Sequence, residues 1–145
     1  MNEPELPLRI IIDRPPAGVA WALQRGRHAL VPPVSSSAAA MVFELTARVG
    51  TTAEGAPNFL GEFAHGTVAD RFVYITVGES AGQAGSPWKR RAKVRLGTIT
   101  REMVDAALAS GGTLEARFAG TGRDGTPACA TVPLLDGGWR IVPDG

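Results

Sequence analysis

The chain reads as a mainly β protein: an antiparallel β-sandwich or barrel of seven to eight short strands, with one short helix at about residues 100–110. Three observations carry that expectation. Apolar residues recur at period two in several short windows, the spacing at which a strand presents one face to a core. Eighteen glycines and eleven prolines interrupt the 145 residues, which suits strands joined by turns. A helical period appears only once, late in the chain.

The elements follow in order. Residues 7–13 (PLRIIID) form an apolar run that Arg14-Pro15-Pro16 ends, because proline has no N–H to pair. Val19, Trp21 and Leu23 alternate with Ala20, Ala22 and Gln24, and after a turn at Arg25-Gly26-Arg27 the residues Ala29-Leu30-Val31 can pair back. Residues 35–40 (SSSAAA) read as a small linker or loop. Residues 41–49 are the clearest strand, with Phe43, Leu45, Ala47 and Val49 on one face and Glu44, Thr46 and Arg48 on the other. Residues 50–70 read as loop; their aromatics are expected to fold that loop back onto the body. Residues 71–77 (RFVYITV) are apolar on both faces, which predicts a central strand covered on both sides.

From residue 88 the period is again two. Trp88, Arg90, Ala92, Val94 and Leu96 share one face, and Lys89, Arg91, Lys93 and Arg95 share the other. The next residues switch to a helical stripe of Ile99, Met103, Val104, Ala107 and Leu108, with Thr100 as N-cap and Gly111-Gly112 as stop. Leu114, Ala116 and Phe118 alternate inward, residues 127–134 are expected to return as their hairpin partner, and residues 139–142 form a last short strand.

Length and composition set bounds. The chain fits a single domain, 1–145, and a domain of this size buries roughly 68–70% of its unfolded surface without a staple. One cysteine, Cys129, rules out an internal disulfide and a cysteine-rich zinc site, and a strand thiol between alanines is expected to be buried and inert. The N-terminus lacks a basic segment followed by an apolar one, and no apolar run approaches the ~18–20 residues of a membrane span. The expectation is a cytoplasmic protein, with no membrane partner. A formal net charge of +1 argues against nucleic acid as a partner, since few counterions would be released.

Several motifs fail on context. Gly120-Thr121-Gly122-Arg123-Asp124-Gly125 matches G-x-G-x-x-G, but a strand pattern follows where a dinucleotide site needs a helix N-terminus, so a hairpin turn is the better reading. Ser86-Pro87-Trp88-Lys89 matches S-x-x-K without the helical turn that would bring hydroxyl and amine together. Glu62 and His65 have E-x-x-H spacing in a single copy, and no ligand set accompanies them. If that pair is functional, Glu62 orients the imidazole and raises its pKa. No cofactor is expected, and no nucleophile–base pair, metal set or paired carboxylates point to an enzyme.

The densest signal is the run of five cations, Lys89, Arg90, Arg91, Lys93 and Arg95, in a stretch with no acid between Glu79 and Glu102. Four of them read as a solvated edge. Arg90 is different, because a guanidinium on an apolar face must reach water, pair with an acid such as Glu44 or Glu115, or face a ligand anion. The leading expectation is a pocket for a small anionic or aromatic ligand, walled by Trp88 and by Phe59 or Phe63. Arg90 would bind the anion there, with His65, oriented by Glu62, as a polar handle. The alternative is an interaction module whose basic edge strand, 88–96, takes an acidic protein partner or a second copy in a homodimer.

The segments PNFLGEFAHG (57–66), RFVYITVG (71–78), WKRRAKVRLGTIT (88–100), LEARFAGTGRDG (114–125) and VPLLDGGWRIV (132–142) resemble a family of small bacterial proteins. That family is catalogued as a domain of unknown function, number 5990 in its series. The resemblance covers nearly the whole chain. It implies one self-contained domain and transfers no catalytic residue.

Overall fold

The computed structural model describes residues 3–27, 29–78, 90–122 and 125–143, with Arg90 described by its backbone only. The described chain is mainly β, as expected. In order it runs β1 (Glu5–Asp13), β2 (Ala20–Arg25), β3 (Ala29–Val31), β4 (Ser35–Ser36), β5 (Ala40–Thr51), β6 (Pro57–Leu60), β7 (His65–Thr67), β8 (Asp70–Gly78) and β9 (Arg90–Arg95). The helix α1 (Arg101–Ser110), β10 (Thr113–Ala119), β11 (Ala130–Thr131) and β12 (Arg140–Val142) complete it.

Among the described residues two six-stranded sheets form, ordered β12-β10-β1-β5-β4 with β6 also on β5, and β11-β9-β8-β2-β3 with β7 also on β8. Neither closes, so the arrangement is a sandwich rather than a barrel. Pairing is mostly antiparallel; β1 with β10 and β9 with β11 are parallel. The period-two residues meet between the sheets. Leu8, Ile10, Phe43, Leu45, Leu114 and Phe118 of the first sheet share one buried cluster with Leu23, Val73, Ile75, Ala92 and Val94 of the second. Trp21 packs edge-on against Phe118 across the interior, with ring centres 6.4 Å apart. Thr100 caps α1 by accepting from the Met103 amide, and Gly111 ends it in the left-handed region. The helix carries the chain from the second sheet to the first and buries Val104 and Ala107. Among the described residues no helix is long and apolar enough to cross a membrane.

Four expectations are corrected. Residues 57–66 are not one loop. They are β6 on the first sheet and β7 on the second, joined by a turn that crosses the sandwich, and runs of three or four residues are too short for a period to show. The return after β10 does not pair with β10. It crosses to β9 as β11, while β12 takes the place beside β10. The basic strand β9 is therefore not an edge strand over its whole length, because β11 covers it at Ala92 and Lys93. Cys129 lies just outside β11 and is exposed, not buried.

A charged row crosses the outer face of the first sheet. Cross-strand register places Glu44, Arg9, Glu115 and Arg140 side by side on four neighbouring strands. Arg9 binds Glu44 and Glu115, each at 3.2 Å, and Arg140 reaches Glu115 at 3.5 Å. The two acids considered as partners for Arg90 are thus both engaged by Arg9 on the opposite sheet. The Glu115 side chain is only 9% exposed, so its charge depends on these partners. Arg9→Ala is expected to cost about 1–3 kcal/mol in urea unfolding, and Arg140→Ala under about 1 kcal/mol because Arg140 is half exposed. Equal losses from the two substitutions would contradict the central position of Arg9 in the row.

Candidate functional site

Alternation along β8 decides where its side chains go. Arg71 has the parity of Val73, Ile75 and Val77, so it belongs to the row that faces the other sheet, at the row's open end. A cation at the end of a core-facing row must find acceptors at the mouth of the sandwich. It does so across the gap: Arg71 Nε donates to Asn58 Oδ1 on β6 at 3.2 Å, and Nη1 donates to the Gly66 carbonyl on β7 at 2.7 Å. The guanidinium is fixed on two sides, and no carboxylate among the described residues forms an ion pair with it.

Arg71 lines a cleft of about 510 Å³. Its floor is apolar, from Phe59, Leu96 and Ile99, all buried, and its lip is formed by Val68 and Ala69 on one side and the 52–57 turn on the other. Arg101 at the start of α1 holds the end of β5 that leads into that turn, donating to the Gly50 carbonyl at 3.1 Å and to Thr51 Oγ1 at 2.8 Å, and reaches the turn itself at the Gly55 carbonyl, 3.5 Å away. Glu54 also lines the cleft without pairing with Arg71. A second cleft of about 390 Å³, lined by Ala119, Thr121, Pro127, Cys129 and Val132, has no charged group among its described lining residues.

The outer face of the same sheet holds a different cluster. Phe72 and Tyr74 point away from the core and pack against each other with ring centres 4.7 Å apart. His65 on β7 stacks beside both, at 6.3 Å from Phe72 and 5.3 Å from Tyr74. Gly66 makes this approach feasible: a Cβ there would collide with the Asp70 carbonyl and the Phe72 ring, and its φ of 89° is one that side chains disfavour. His65 Nε2 lies 3.4 Å from the Gln24 carbonyl, so that nitrogen carries the proton. Burial pushes the imidazole pKa below its usual value, the bond to Gln24 opposes that shift, and the nearby charge of Arg91 adds to it.

The residues expected to form one site are distributed. Phe59 is buried in the cleft floor, and Phe63 is half-buried against the core. His65 stands on the outer face. Glu62 pairs with Arg25 at the surface instead of orienting His65, and the His65 pKa moves down rather than up. Trp88 lies outside the described residues, and the Arg90 backbone pairs with Val77. Arg71 was missed in the sequence, although its parity with Val73, Ile75 and Val77 was the available signal.

A family model described as a family of unknown function (DUF5990) matches residues 6–142. No curated protein and no solved structure matches the chain.

The lowered His65 pKa has a definite sign. As pH falls below about 6.5 the unfolded chain takes up the proton first, so stability present above that pH is lost on acidification toward the lower folded-state value. The urea midpoint of the native protein is expected to fall more than that of His65→Gln between about pH 8 and about pH 5. Parallel pH profiles would contradict a neutral imidazole held among these rings.

Proposed function

The chain belongs to the family of unknown function DUF5990, and since membership brings no activity with it, we propose from the cleft that the protein binds a small ligand bearing an anionic group and an apolar or aromatic body. One observation carries this reading: a guanidinium held by Asn58 and Gly66 beside the apolar floor of a cleft, with no ion pair to the Glu54 carboxylate that also lines it. A cleft of about 510 Å³ is in the range of small-molecule sites, and such sites combine apolar walls with a few fixed polar groups. Arg71 retains N–H groups beyond those given to Asn58 and Gly66, and a planar guanidinium can present two of them to one carboxylate. Phe59, Leu96 and Ile99 would receive the apolar body. Prior fixation of Arg71 lowers the ordering cost that binding would otherwise carry.

Arg71 takes the role the sequence suggested for Arg90. The ligand class stays the same, and the anion contact moves to the strand whose end opens on the cleft. Ligand-observed NMR with benzoate and its uncharged amide tests it. Benzoate is expected to bind the native protein roughly tenfold more tightly than benzamide, the increment of a charge-assisted bidentate contact. Arg71→Leu is expected to abolish that preference. Ala69→Trp, which fills the lip and leaves Arg71 and its partners in place, is expected to block both probes. Benzoate binding unchanged in both variants would overturn the proposal.

A further inference from the structure

The cations of β9 are not simply a wet edge. Register places Arg91 opposite Thr76, Lys93 opposite Tyr74 and Arg95 opposite Phe72. Each side chain, however, reaches one step diagonally in the same direction. The Arg91 guanidinium carbon sits 5.0 Å from the centre of the Tyr74 ring, and Lys93 Nζ sits 4.0 Å from the centre of the Phe72 ring. Arg95 reaches Asp70 at 3.6 Å, and Lys93 shares that carboxylate at 3.5 Å. The three cations form an ordered row, two of them laid over rings and the third on the carboxylate at its far end.

Arg91 stands apart in this row. It is exposed, and among the described residues no acid pairs with it. The ring beneath it orients the guanidinium plane and leaves its N–H edge available to an acceptor. We propose that this outer face, with Arg91 as its open cation, docks an extended acidic segment of a partner protein, with carboxylates at alternate positions. Three features favour that occupant. The cations repeat every second residue of a strand, a spacing of roughly 6.6–6.8 Å that alternate side chains of an extended peptide match. Asp70 already shows the row accepting a carboxylate between two cations. The faces of Phe72 and Tyr74 carry cations, which takes away the bare ring surface on which nucleic-acid bases stack. The backbone edge of β9 is covered by β11 at Ala92 and Lys93, so the contact is over the face and not by strand addition there.

The surface is separate from the cleft, and the test is independent of any small ligand. A short fluorescein-labelled peptide alternating Glu and Thr is titrated by anisotropy at low ionic strength. Comparisons are a peptide of the same composition with its Glu residues in one block and a short oligothymidylate. Arg91→Ala is expected to weaken the alternating peptide roughly tenfold, as for loss of a charge-assisted bidentate contact. Arg48→Ala, which removes a half-exposed cation from the other sheet, is expected to change it by less than about twofold. The alternating peptide should bind more tightly than the block peptide. No saturable binding, equal effects of Arg91→Ala and Arg48→Ala, no preference over the block peptide, or tighter binding of oligothymidylate through Arg91 would each overturn the proposal.

Discussion

Strand β8 has to hide apolar side chains on both of its faces, and the architecture follows from how it does so. Its inner row, Val73, Ile75 and Val77, is buried against the first sheet by the ordinary means of a sandwich. Its outer row, Phe72 and Tyr74, has no third layer to cover it. Here Phe72 is buried and Tyr74 half-buried under His65 and the long stems of the β9 cations. Such cover is amphipathic: methylenes and ring faces exclude water while the charges remain in it. The like charges of Arg91, Lys93 and Arg95 are tolerable because two rest over negative ring faces and two share Asp70.

The same strand links that cover to the cleft. Arg71 is the second residue of β8, and by strand parity it continues the inner row to the mouth of the sandwich. There it bridges β6 of one sheet and β7 of the other, so the turn that crosses between the sheets is held at both ends by one guanidinium. His65 and Gly66 occupy adjacent positions on β7. His65 covers the outer rings, and the Gly66 carbonyl fixes Arg71. Backbone position at β7 therefore sets both surfaces at once, and a side chain at residue 66 would disturb both.

Local patterns were legible because they need only neighbours along the chain. The inward rows of β5, β9 and β10 and the capped helix α1 follow from period and from Thr100 and Gly111. What required partners was not legible. Whether residues 127–134 pair with β10 or cross to β9 depends on which edge is open in three dimensions, and no local period encodes that. Arg9 lies in an apolar run, and its central place between Glu44 and Glu115 exists only once three strands are in register. Arg71 carries the same signal as Arg90, a cation in phase with an apolar row, and only its place at the mouth of the sandwich between β6 and β7 sets it apart. The doubly apolar β8 and the singly charged face of β9 were both visible. Joining them needed the pairing that sets one beside the other.

Native-state hydrogen exchange of the β8 amides tests this account most directly. If β8 is the strand buried on both faces, the amides of residues 73–77 exchange only through global unfolding. Their opening free energies then equal the unfolding free energy from urea, as do those of Leu45 and Ala47 on β5. Exchange of the β8 amides through a smaller, local opening, while β5 stays fully protected, would contradict it: the outer cover of Phe72 and Tyr74 would then be incidental to the fold.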